Sequence, residues 1–233
     1  MKKSNLKERL AGLGAAAVVG AAAIFGGVQI HKNNQEKEAL AAQKQALISQ
    51  IYSNPCLRGL QSYQYSDELK ALQTLMNRQL PPDKQMKEDG FVPNSENGSR
   101  KLAEHELAFE HMSNDQLRVL GANLSEKIDM TILDTWANGA VSDTARSTFN
   151  RMIQRRAEQN NNDGSATMEM QRALNAMGAN LAVDGEYGPK TKQALDKVFS
   201  SKSAIQIFAK HYKAERLKSQ NARSLMAQQA CGR

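Results

Sequence analysis

The residues best suited to chemistry are gathered in one short turn. Asp184, Gly185, Tyr187 and Gly188 lie within five positions, and Thr191 follows one helical turn later. A carboxylate, exposed main-chain amides and a phenol with a flat face and a polar tip can grip the hydroxyls and amides of a polar ligand without reacting with it. No catalytic residue is expected. Glu88 is the one candidate for a general acid, but its loop is polar and rich in lysine, and a catalytic carboxyl needs a shielded pocket to raise its pKa. His105, Glu106, Glu110 and His111 suggest a metal site. Yet six positions separate the two histidines, about 240° around a helix, so they share no ligand face; a solvated helix face is the expectation, with no metal or cofactor. No Ser/His/Asp or Cys/His nucleophile signature and no phosphate-cradling glycine loop is visible. Cys56 and Cys231 could pair as a disulfide, or stand as two solitary thiols.

The elements that must position the turn are helical. Aromatic residues make up 5% of the chain and charged residues 24%, and no strand pattern appears, so an all-α fold is expected. The net charge of +7 is concentrated at the two ends, which suits an anionic surface or polymer. Residues 1–9 form a basic flank, and residues 10–30 run without a charge from Leu10 to Ile30, long enough to cross a bilayer as one helix. Two readings stand: an uncleaved signal anchor, which the apolar Ile24, Phe25 and Val28 favour, or a signal peptide cut after Ala21–Ala23. The basic flank keeps the N-terminus in the cytoplasm, so the rest of the chain is expected outside it. That compartment permits the Cys56–Cys231 pair and makes nucleic acid an unexpected partner. Gly12, Ala16 and Gly20 have the spacing of a close helix contact, although an Ala/Gly-rich span gives such spacing easily; homodimerisation has no other support.

Residues 31–53 read as a helical stalk, and 54–159 as a helical middle domain whose role the sequence does not state. Within it Ser66 opens a helix stopped by Pro81 and Pro82. Ser99 begins another, Ser113 with Gln116 forms a capping box for a helix ending at Gly121, and Asn123 with Glu126 opens a further helix running to Asn138. A last one covers about 143–158. Residues 160–166 are a linker. Residues 167–201 then give two helix faces, Met170, Leu174 and Met177 against Leu195, Val198 and Phe199, joined by the Asp184 turn, with Gly188 and Pro189 starting the second helix. Val183 and Tyr187 are expected to pack back between the helices. Residues 202–233 read as a basic helix with Ile205, Phe208, Tyr212 and Leu217 on one side.

The residues Met170, Gln171, Leu174, Gly178, Val183, Asp184, Gly185, Tyr187, Gly188, Thr191, Ala194, Leu195 and Phe199 follow a pattern that resembles the peptidoglycan-binding-like domain of cell-wall hydrolases. The resemblance implies a small three-helix bundle that binds peptidoglycan in a shallow groove beside the loop, with Asp184, Gly185, Tyr187, Gly188 and Thr191 as the binding residues. Together with the N-terminal apolar segment it makes a membrane-held, non-enzymatic envelope protein the leading reading. Two rivals remain: a phage-type or bacterial muramidase, whose glutamate motif is partly echoed at Glu88–Val92, and an envelope protein-interaction factor whose module binds no sugar. A decayed second copy is also open: Leu72–Asn77 aligns with Met170–Asn175, Asp89-Gly90 with Asp184-Gly185, and Gly98–Phe109 has the spacing of Gly188–Phe199.

Overall fold

The computed structural model describes residues 27–57, 65–91, 105 and 107–231. The chain divides into two compact units, Met1–Ala42 and Gln43–Arg233. Among the described residues the secondary structure is helical, with no strand beyond an isolated bridge between Tyr65 and Phe91. Most of the apolar 10–30 segment lies outside the described residues; among those described, no helix is long and apolar enough to cross a membrane.

The helices are α1 (Gly27–Tyr52), α2 (Asp67–Asn77), α3 (Asn114–Gly121), α4 (Leu124–Ala137), α5 (Ala145–Gln159), α6 (Ser165–Ala176), α7 (Pro189–Val198) and α8 (Lys202–Cys231), with a helical stretch over 107–111 before α3. Their ends follow local chemistry. The Ser66 hydroxyl accepts from the Leu69 amide to start α2, and the Ser113–Gln116 capping box starts α3 as expected. Asn123 departs from expectation. Its backbone is left-handed, with φ 52°, and its side chain makes no cap; Glu126 turns instead toward Arg156 and Arg216.

The core of the larger unit is aromatic at its centre. The Phe149 ring of α5 meets Phe199, Phe208 and Tyr212 with centroids 5.4, 5.2 and 5.3 Å away, the tilted and edge-on geometries that ring quadrupoles favour. Ile205, Phe208 and Tyr212 are buried on α8 as expected, but Leu217 is exposed and Arg216 takes the inward place. Arg216 enters because acids await it. Asp129 on α4 accepts from Arg155 at 2.8 Å and from Arg216 at 3.2 Å. Arg156 grips Glu169 of α6 with one nitrogen 2.7 and 2.8 Å from its two carboxylate oxygens, and Glu68 of α2 takes a two-nitrogen grip from Arg151 at 2.9 Å. Buried charges persist only when paired, and here α2, α4, α5, α6 and α8 each contribute to one connected lattice. One charge of the basic tail, Arg216, is therefore spent inside the fold, and Lys213 pairs with Asp134 nearer the surface.

Cys56 is a free, buried thiol. Burial pushes its pKa up to about 11, which suppresses the reactive thiolate. The side chain of its suggested partner, Cys231, lies outside the described residues.

Candidate functional site: the Asp184 turn and its counterpart

The turn is shaped by one buried amide. Gln171 on α6 is 1% exposed. Its Nε2 donates to Asp184 Oδ1 at 2.7 Å, lies 3.0 Å from the Glu186 carbonyl oxygen and 3.4 Å from Thr191 Oγ1, while its Oε1 accepts from the Gly185 amide at 3.0 Å. Asp184 Oδ1 also accepts from the Glu186 amide at 2.9 Å. The Gln171 amide and the Glu186 N–H hold the Asp184 carboxyl below its ordinary pKa, because both favour the charged form. One turn along α6, Asn175 brackets Leu181, donating to its carbonyl at 2.8 Å and accepting from its amide at 2.6 Å. Gly185 has φ +79°, and a Cβ there would stand 3.1 Å from the Gly164 carbonyl oxygen; the chain needs glycine at this approach.

These bonds separate the expected site residues. Asp184, Gly188 and Thr191 border one groove of about 360 Å³ beside the turn. Tyr187 borders another of about 310 Å³, between the module and Phe149, Asn150 and Ile153 of α5. Gly185 faces inward against Gly164, and Thr191 is buried beneath Gln171. Asp184 and Tyr187 are exposed, so these two present themselves to a ligand. The expectation that Val183 and Tyr187 pack between the helices is corrected: they are 40% and 50% exposed. The loop is fixed by Gln171 and Asn175, and its apolar anchor is Leu181, partly buried against the core.

The middle region repeats this arrangement. Gln73 Oε1 accepts from the Gly90 amide at 2.8 Å, its Nε2 donates to Asp89 at 3.3 Å, and Asn77 brackets Met86 at 2.8 and 2.9 Å. Gly90 has φ +70° and crowds the Ser66 carbonyl as Gly185 crowds that of Gly164. His105 Nε2 lies 3.4 Å from Gln73 Nε2, the place Thr191 holds beside Gln171. Aligning Gly98 with Gly188 sets this last helix four residues out of register, and Gly98 itself lies outside the described residues. The fit of Phe109 and Met112 under His105, spaced as Leu195 and Val198 are from Thr191, gives the register the core uses.

His105 is buried, 6% exposed, so it does not lie on the solvated face expected of it; Glu106 lies outside the described residues. No group of three metal-ligating side chains occurs among the described residues. Glu88 is exposed and accepts from Thr74 Oγ1 at 2.6 Å and Asn77 Nδ2 at 3.1 Å, which gives it none of the shielding that a general acid requires. Asn77 and Asn175 are the residues sequence reasoning missed. Their signal was there: a Gln and an Asn four positions apart project from the same side of a helix, twice. No protein-family model, no curated protein and no solved structure matches the chain, so any function rests on the site's own geometry.

Proposed function

We propose that this chain is a single-pass envelope protein, held in the bacterial cell membrane by residues 10–30, that binds peptidoglycan without cleaving it through the module around the Asp184 turn. The observation that carries the reading is the buried Gln171 amide. It spends its own hydrogen-bonding capacity on the turn and so presents the Asp184 carboxylate outward in a fixed geometry, with the exposed Tyr187 ring three positions further on. A preorganised turn loses little entropy when a ligand docks, and a fixed carboxylate on one groove with an aromatic face on the next suits sugar hydroxyls and amides of an extended polymer. The exposed Glu88 gives the muramidase alternative no comparable support.

The test is co-sedimentation of the full-length chain, in mild detergent, with purified sacculi at low and moderate salt. Retention that survives moderate salt and falls in Asp184→Ala and Tyr187→Ala is the expected result. Retention that salt abolishes and the two variants leave unchanged would assign the affinity to surface lysines and arginines. Absence of retention would move the function to protein interaction.

A further inference from the structure

One place where the two copies of the module differ is the mouth between the first helix's C-terminal end and the first turn of the third helix, α3 in the middle region and α8 in the C-terminal copy. In the middle region that mouth is bridged: Gln116 Nε2 donates to the Gln79 carbonyl at 2.7 Å, and Leu80 is buried beneath it. Counting from Ser113 and Ser201, which precede the last helix of each copy, the counterpart of Gln116 is Ala204. Gly178 stands where Leu80 does, with φ +90° and open space where a side chain would be. The result is a groove of about 590 Å³ in the C-terminal copy, floored by apolar residues such as Leu174 and Val198 and walled on one side by Lys190, Gln193 and Lys197. It adjoins the Asp184 groove, with Leu181 and Lys190 bordering both, and shares no lining residue with the Tyr187 groove.

We infer that this groove binds a short acidic peptide, and, resting on the proposed function, that the peptide is the stem peptide of the wall. The dimensions carry the argument. Lys190 and Lys197 are seven positions apart on α7, within about 20° of the same face and about 10 Å apart along the axis. That separation matches two carboxylates divided by about three residues of extended chain. Gln193 lies between the lysines and can serve both a peptide N–H and a peptide carbonyl. Among the described residues no acidic side chain lines the groove, so the cationic wall is available to an anionic ligand. The apolar floor and small residues Gly178, Ala179 and Ala204 admit the methyl-sized side chains of such a peptide.

The full-length chain, in mild detergent, is titrated calorimetrically with stem tetrapeptide released from sacculi, and separately with glycan strands stripped of their peptides. The tetrapeptide should bind, and binding should weaken roughly tenfold or more both in the Lys190→Glu/Lys197→Glu double variant and in Ala204→Gln, which installs the bridging side chain of the other copy. Thermal melts matching the parent check that the variants fold. Equal tetrapeptide affinity in parent and variants would overturn the inference. So would binding of stripped glycan without binding of tetrapeptide, which leaves the wall-binding reading intact; loss of all retention on sacculi overturns both.

Discussion

Replacing Gln171 by methionine keeps the length and shape of the side chain and removes its amide. Two main-chain groups of the turn lose their partner, the Gly185 N–H at 3.0 Å and the Glu186 carbonyl at 3.0 Å. At about 1 kcal/mol for each neutral hydrogen bond, and with water replacing the lost donor at the exposed Asp184 carboxylate, the variant should be destabilised by about 2 kcal/mol. That corresponds to a melting temperature lower by roughly 4–8 °C for a chain of this size. The loss should also be local before it is global: exchange of the Gly185 amide with solvent should quicken by roughly thirtyfold, whereas the Gly90 amide, held by Gln73, should keep its protection beyond the shared change in global stability. Urea unfolding with amide exchange read by mass spectrometry or NMR measures both. A stability change under about 0.5 kcal/mol with unaltered Gly185 exchange would refute the claim that this amide shapes the turn.

Asp129→Ala should cost about 3–5 kcal/mol in urea unfolding, because it leaves the buried Arg155 and Arg216 guanidiniums without the carboxylate between them; a cost below about 1 kcal/mol would show that water or Glu126 replaces it. Glu68 supplies an acid-limb test. Burial disfavours its charge, but the two-nitrogen grip of Arg151 and the Ser66 hydroxyl outweigh this and hold its pKa below the ordinary 4.5. A depressed folded-state pKa contributes stability that is present above pH 4.5 and lost as the pH falls through the folded value. The stability difference between the parent and Glu68→Gln should therefore shrink on acidification below pH 4.5, and a difference independent of pH would remove Glu68 from the account.

Helix positions were largely legible in the sequence because they are set locally. Ser66, the Ser113–Gln116 box, Gly121 and the Gly188-Pro189 start all act within one turn of themselves, and each behaves as its chemistry dictates. The C-terminal module's core was legible for the same reason, Met170, Leu174, Leu195 and Val198 repeating at helical spacing. What escaped depends on partners far along the chain. Arg216 reads as surface charge until Glu126 and Asp129, 90 and 87 positions away, are brought to it. His105 reads as solvated until α2 covers it. The repeat was half visible: its hydrogen-bonding Gln, Asn, Asp and Gly are shared, but segments of different length between them blurred the register of the last helix. At the turn, the residues that the pattern nominates for binding are of two kinds, those that hold the loop and those that face outward, and only distances separate them.

The reach of Arg216 has a consequence for how the chain is made. Translation delivers α4 long before α8, so Glu126 and Asp129 emerge while Arg216 is still unsynthesised, and α5 can offer them only Arg155 and Arg156. The aromatic centre waits as well, since Phe149 needs Phe208 and Tyr212. Domains that fold as units during synthesis complete from the N-terminus onward; here the middle region cannot finish until α8 has been made. A chain not yet extended through Arg216 holds its acids under-paired, Glu126 and Asp129 each lacking one of the guanidiniums that the finished fold gives them.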